Sequence, residues 1–287
     1  MSRKAKPKKL QVLPTYEKGR QPLPERVSLL VNVFTYSKQI GADVFVYTHS
    51  VTDALKNHPK VKDVFVSYTT GYPTDRVRNA VVKEARANGH DFVLMLDDDM
   101  CPDLGVLSKD HRDGSAVPFL PAALDFALAH DGPCVVGAPY CSSPPMQEVV
   151  VMKTRERVPG LPDGCGSLLD KYTRDEAAVQ TGIKRVAALP TGVMLVDLRV
   201  LDILPPPWFS YEFTDEPFNT RLASTEDVVF SRNCDWLGIP QYCAWDSWAG
   251  HNKDFLTGKP VACPVHDIPG SIFKAWTGGW RPKTQGA

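Results

Sequence analysis

Three adjacent aspartates, Asp97, Asp98 and Asp99, close the apolar run Asp91 to Leu96 in a chain of 287 residues. Carboxylates packed at that spacing repel one another where a buried strand leaves the core, and a divalent cation would relieve the repulsion. The alternative is an acidic loop that caps the next turn. A second acidic pair, Glu226 and Asp227, stands at the head of a helical segment. There the S-x-x-D spacing of Ser224 and Asp227 reads as a capping box, and acids suit the positive end of a helix dipole. The third candidate is His251, after Gly250 and the aromatic stretch Trp245 to Trp248. Taken alone, this histidine reads more readily as a satisfied surface or core residue than as a metal ligand.

These groups need elements to position them. Val27 to Phe34 is a continuous apolar run of strand length, as expected for a strand buried on both faces. Strand-like runs at Val44 to Tyr47 and Val61 to Tyr68 flank a helical segment from Val51 to Asn57. Thr74 to Asn88 reads as a helix: Val77, Val81 and Ala85 recur every four residues, Thr74 stands at its start and Asn88-Gly89 at its stop. The aspartate-tipped strand follows, then a helix from Pro118 to His130 and a strand from Cys134 to Tyr140. Alternating helices and strands predict a three-layer α/β fold with a mostly parallel central sheet and ligands beyond the strand C-termini. After Tyr140, Glu148 to Met152 and the Gly/Pro-containing Val158 to Ser167 predict a projecting hairpin or loop. Lys184 to Val196 reads as one or two strands broken at Pro190-Thr191-Gly192, and Thr225 to Leu237 as a helix ending at Gly238.

Composition sets outer limits. The chain is 43% hydrophobic and 23% charged, which describes an ordinary folded protein, and its 33 basic and 33 acidic residues cancel. Charge is uneven, however: seven of the first 20 residues are Lys or Arg against one acid, Glu17. Residues 1–24 therefore read as a basic flexible arm, either solvated or in contact with a polyanion such as DNA or acidic lipid. No apolar run reaches the ~18 residues of a membrane span. Seven scattered cysteines without zinc-like spacing point to reduced, mostly buried thiols in a cytoplasmic setting.

Taken in order, the aspartate-tipped strand, the P-T-G before the apolar run to Val196, the Glu226-Asp227 pair and Gly250-His251 resemble the GT-A fold glycosyltransferases, particularly the family 2-like branch. Phe34-Thr35-Tyr36 resembles the family's nucleotide-contacting start, and Arg76-Val77-Arg78-Asn79 resembles the helix preceding its D-x-D strand. The resemblance spans Val27 to His251. It implies a catalytic domain over 25–252, with a nucleotide-sugar half at 25–140 and an acceptor half at 141–252; by its own Trp, Gly and Pro content, the segment 253–287 reads as irregular and packed on the core. It implies that Asp97, Asp99 and His251 hold Mn²⁺ or Mg²⁺ on the diphosphate of a nucleotide sugar, a UDP-sugar first. Asp98 would point away or toward the ribose. Thr35, Tyr36, Arg76, Arg78 and Asn79 would line the nucleotide pocket, and Thr191 and Gly192 the sugar. Asp227, with Glu226 beside it, falls where inverting relatives carry the general base. Phe34, Ser37 and Tyr68-Thr-Thr-Gly71 depart from the family's pattern, which leaves the nucleobase open.

The acceptor has the least support. Trp208, Phe209, Tyr211 and Phe213 form either a stacking platform or ordinary packing. A platform together with a basic arm would suit a hydroxymethylated pyrimidine in DNA, with a glycan, lipid-linked or protein acceptor as the other choices. Two other classes remain: a metal-dependent phosphohydrolase or nuclease, which usually wants two metals and more ligands, and a non-catalytic nucleotide-sugar binding module.

Overall fold

A computed structural model of the chain describes residues 21–35, 39–107, 113–142, 147–157, 159–160, 166–214, 221–252, 255–257 and 280–282. Its centre is a seven-stranded sheet built on β1 (Val27–Thr35), whose near-unbroken apolar sequence is buried on both faces. β1 pairs in parallel with β2 (Val61–Thr70) on one side and with β3 (Phe92–Asp97) on the other. Beyond β3 lie β9 (Val193–Asp197), β5 (Val135–Gly137), β12 (Gln241–Ala244) and β8 (Ile183–Val186), in that order. β9 and β8 run against the other five strands. The protein is thus mixed α/β with a mostly parallel central sheet, and strands from before and after Tyr140 share it.

Helices cover both faces. On one, α2 (Thr74–Ala87) and α6 (Glu226–Trp236) pack Val81, Val82, Ala85 and Phe230 against Leu30, Phe34, Met95 and Met194. On the other, α1 (Ala42–Lys56) and α4 (Phe119–Ala129) pack Val44, Tyr47, Phe119 and Leu124 against Leu29, Val31, Leu94 and Leu96. β3 is therefore sandwiched, with Phe92 to Leu96 wholly buried. Truncating Leu94 to Ala would cost about 3 kcal/mol, so the aspartates at its tip start from a rigid mount.

Local differences from the sequence reading have simple causes. Val44 to Tyr47 is not a strand but the first turn of α1, because Val44, Tyr47, Val51 and Leu55 recur at helical spacing and are buried together. Phe45 and Val46 fall on the other side of that helix and remain half exposed. α2 is capped at Pro73 without a side-chain bond, so Thr74 does not act as its cap. α6 is capped at Thr225 rather than Ser224, and the Thr225 hydroxyl donates to Asp227 two residues on.

The expected projection after Tyr140 is a hairpin of β6 (Met152–Arg157) and β7 (Ser167–Lys171), followed by the short α5 (Arg174–Ala178). Asp235 of α6 holds its loop end by accepting from the Ser167 amide, the Ser167 hydroxyl and Arg157. A second, four-stranded sheet orders β15 (Trp280–Pro282), β14 (Phe255–Thr257), β13 (Gly250–Asn252) and β4 (Met100–Cys101), all antiparallel. The C-terminal segment, expected to be irregular, thus contributes two strands where it is described. Two short elements, α3 (Leu104–Leu107) and the hairpin β10 (Glu212–Thr214) with β11 (Arg221–Ser224), complete the path. Residues 1–20 of the basic arm lie outside the described residues, whereas Leu23 packs on the core.

Candidate functional site

The turn that carries the acids is held by its neighbours' strand ends. The Asp97 amide donates to the Gly192 carbonyl at the start of β9, and the Asp98 amide to the Phe34 carbonyl near the end of β1. The chain then enters β4, whose partner β13 places His251 opposite Met100, while the Asn252 amide bonds the Asp99 carbonyl. This pairing brings together side chains 152 residues apart, with His251 Nε2 at 3.4 Å from Asp99 Oδ2. On its other side, His251 Nδ1 lies 3.0 Å from the Cys141 carbonyl. A carbonyl only accepts, so Nδ1 donates there, and a bond from Nε2 to the Asp99 carboxylate needs a proton on that nitrogen as well; a cation bound between the two would take that proton's place. One carboxylate oxygen and one imidazole nitrogen thus stand close enough to share a cation.

Asp97 is differently engaged. Its Oδ1 accepts from Nη2 of Arg78 at 2.8 Å, and Nε of the same guanidinium donates to Glu226 Oε1 at 3.2 Å. Arg78 is 2% exposed, lies over the Phe34 ring with 4.6 Å from Cζ to the ring centre, and points Nη1 at the Met95 sulfur. α2 supplies it because position 78 falls on the helix face turned to β1 and β3, one turn before Val81 and Val82. Burial works against its charge, but Asp97, Glu226 and Asp227 outweigh burial and hold the guanidinium above its ordinary value. Glu226, in turn, is pushed up by burial and by the Asp227 and Asp97 charges, with Arg78 opposing.

The two acids at the head of α6 therefore differ. Glu226 is the buried counter-ion of Arg78, whereas Asp227 is half-buried and accepts from the Thr225 hydroxyl and the Val228 amide, both on Oδ1. Of the pair, Asp227 is the one that solvent reaches.

Between these groups stands Tyr140, a residue the sequence reading did not single out. Its ring meets His251 edge-on at 5.4 Å, and its hydroxyl lies against Gly192. Burial, followed by the Asp97 and Asp227 charges, drives its phenol well above the ordinary value, so it stays a neutral hydroxyl. A Cβ on Gly192 would stand 2.7 Å from that hydroxyl, which explains why residue 192 has no side chain. Thr191 beside it is buried. The available signal was positional: Tyr140 follows the C-terminal end of an apolar strand, the edge where such sheets bind ligands.

The remaining candidates separate. Thr35 donates its hydroxyl to the Gln39 carbonyl at 3.0 Å, and with Phe34, Thr69, Gly71, Thr74 and Val77 it lines a small recess at the ends of β1 and β2. Tyr36 lies outside the described residues. Arg76 is exposed on α2. Asn79, expected in the nucleotide pocket, has its amide committed elsewhere: Nδ2 donates to the carbonyls of Asp75 and Phe209, and Oδ1 accepts from the amides of Trp208 and Phe209. It buckles the Pro205 to Phe209 segment onto α2. The aromatic platform divides in the same way. Phe209 is buried and stacked on Phe230 at 4.5 Å, and Trp208 packs against the core, while Phe213 stays exposed near Tyr211.

Beneath the acid turn, Asp103 has φ 55° and caps α4 by accepting the Phe119 amide at 2.7 Å. Burial pushes its carboxyl up to about 6. Cys101, Cys134, Cys141, Cys234 and Cys243 are all buried and unlinked, and burial pushes Cys101, Cys134 and Cys141 up to about 12. Such thiols act as small apolar side chains. Cys165 and Cys263 lie outside the described residues.

Among the described residues, no group of three or more His, Cys, Asp and Glu side chains is placed to hold a metal ion. No helix among them is long and apolar enough to cross a membrane. No family model matches the chain, and no curated protein sequence matches it. Among solved structures, the crystal structure of A197 from STIV aligns with 81% of this chain and 90% of its own, at a TM-score of 0.49 and 13% sequence identity.

Proposed function

We propose that the protein is a metal-dependent GT-A glycosyltransferase that moves a sugar from a nucleotide-sugar donor to an acceptor hydroxyl. The observation that carries the reading is the convergence of Asp99 and His251 at the C-terminal edge of the sheet, with Nε2 aimed at the carboxylate. Asp227 at the head of α6 and the neutral Tyr140 hydroxyl lie at the same edge. The mostly parallel sheet and its acid-tipped central strand agree with this assignment.

In the reaction, the bond from the anomeric carbon to the diphosphate oxygen breaks and a bond from that carbon to the acceptor oxygen forms. Mn²⁺ or Mg²⁺, bound by Asp99 and His251, would neutralise charge on the leaving diphosphate. Asp227 takes the acceptor's proton onto its carboxylate. Gly192 leaves room for the Tyr140 hydroxyl, and the buried Thr191 lines the approach to the sugar. The acceptor is a glycan hydroxyl or a hydroxymethylated pyrimidine in DNA, the second resting on the basic residues before Gln21.

Isothermal titration with UDP-, GDP- and TDP-sugars in Mn²⁺ tests the reading, with Asp99→Ala as the control. One donor is expected to bind only with Mn²⁺ and to lose about 100-fold in affinity in the variant, about 2.7 kcal/mol. Failure of every donor to bind would overturn the transferase reading and leave metal-dependent phosphodiester chemistry.

A further inference from the structure

The central sheet ends differently at its two edges. β8 is four residues long, carries the exposed Lys184 and Arg185, and leads into the bridge between Ala188 and Met152 of β6. Short strands and outward charges are the usual means by which a sheet keeps other chains from its edge. β2, at the opposite edge, has neither. It is ten residues long and follows β1 in unbroken register from Asp63 to Thr70, and among the described residues no strand pairs with its outer side. Its charges, Lys62 and Asp63, stand at its start, and Val64 to Thr70 is uncharged.

This edge is apolar on both faces. Phe65 is 51% exposed beside the His90 ring on the α2 side. Val66 and Tyr68 turn to the α1 side, where with His49, Asp53 and Lys56 they line a groove of about 360 Å³. Phe45, 52% exposed on the outer side of α1, covers the His49 ring at 4.2 Å. At about 200 Å² for a whole aromatic side chain, Phe45, Phe65 and Tyr68 alone leave about 300 Å² of mostly apolar surface in water. A standard interface takes about 800 Å² from each partner, and a strand about 33 Å long with the flank of one helix is of that order. The bordering charges form adjacent pairs, Lys56 with Asp53 at 2.8 Å and Lys62 with Asp63 at 3.5 Å. They cancel, so the edge offers no field to an acidic or basic partner.

We propose that β2 is the interface of a homodimer, in which a second copy of the chain pairs its own β2 antiparallel about a two-fold axis and the two seven-stranded sheets join into one. Antiparallel pairing sets each charged start, Lys62-Asp63, beside the uncharged Thr69-Thr70 end of the other copy, so like charges do not meet, and it brings the apolar middles together. The contact is self-complementary and closed, so it makes a dimer and not a fibre. The two ligand edges then point in opposite directions and each copy keeps its own site. The inference stands apart from the proposed function.

Sedimentation velocity of the full chain from about 1 to about 100 µM tests it. A species of twice the 31.7 kDa of one chain is expected at the upper end. Val66→Lys with Tyr68→Lys charges the edge and is expected to weaken dimerisation tenfold or more, on the order of 1.4 kcal/mol. Val179→Lys, at an exposed valine that ends α5, is expected to leave it unchanged. Hydrogen exchange on the unaltered chain reads the same edge without a variant: amides of residues 61–70 are expected to exchange more slowly at the higher concentration. A chain that stays monomeric throughout overturns the inference and leaves the edge to another protein or to solvent. A dimer that the double variant leaves intact, or whose 61–70 amides exchange alike at both concentrations, overturns it by placing the contact elsewhere.

Discussion

Two aspartates end neighbouring antiparallel strands at opposite edges of the same sheet, and each is neutralised by an arginine. Asp197, at the end of β9, is fully buried and bonded by Arg199 only two residues on, through Nε, Nη2 and the backbone amide. Asp97, at the end of β3, is partly exposed and bonded by Arg78 from α2, which Glu226 of α6 also engages. The first pair is local and closes a chain turn. The second joins three elements and leaves part of its carboxylate at the ligand edge. A buried ion pair is therefore no sign of function by itself; what distinguishes the two is how many elements share the charge and what lies beside them.

The largest expected effect separates the pairs directly. Arg78→Met orphans the buried Glu226 and the partly exposed Asp97 and is expected to cost about 4 kcal/mol in urea unfolding. Arg199→Met orphans one, which keeps a backbone amide, and is expected to cost about 2 kcal/mol while leaving Mn²⁺ and donor binding unchanged. A larger loss at Arg199 would reverse the comparison.

Asp103 sharpens it, as a buried aspartate bonded by a backbone amide instead of an arginine. Its carboxyl is raised from 3.8 to about 6. The folded state therefore holds this proton more tightly than the unfolded state, and stability is lost as pH rises from about 4 through about 6. Asp103→Asn keeps the acceptor, tolerates the positive φ, and removes the charge. Urea unfolding is expected to find the variant about 1–2 kcal/mol more stable at pH 7.5, with the gap closing by about pH 4. A pH-independent difference would assign the effect to packing instead.

The smallest effect concerns the site's shape. Gly192→Ala puts a methyl 2.7 Å from the Tyr140 hydroxyl. It is expected to cost about 1 kcal/mol in stability and to weaken donor binding, measured by thermal melts and titration. An unchanged donor affinity would remove residues 192 and 140 from the sugar's side of the site.

Much of the frame was legible in the sequence because it depends on short-range pattern. The apolar runs that became β1 and β3 and the four-residue repeat of α2 follow from burial of periodic side chains. Where pattern was ambiguous it misled. Val44 to Tyr47 has strand composition, yet Val51 and Leu55 complete a helical face that only packing on the sheet could favour. Asn79 lies on a helix beside Arg78, so its chain position suggested a ligand contact, whereas the folded Pro205 to Phe209 segment consumes its amide.

By itself the sequence determined which residues could do chemistry: three acids at a buried strand's tip, two at a helix start, and one histidine after a glycine. Only the tertiary structure decided their relations. It joined His251 to Asp99 by pairing β13 with β4, set Arg78 against Asp97 and Glu226, and raised Tyr140 between them. The reason is physical: burial and periodicity act over a few residues and are written in local order. Charge pairing acts through space between residues 19 to 152 positions apart and has no local signature.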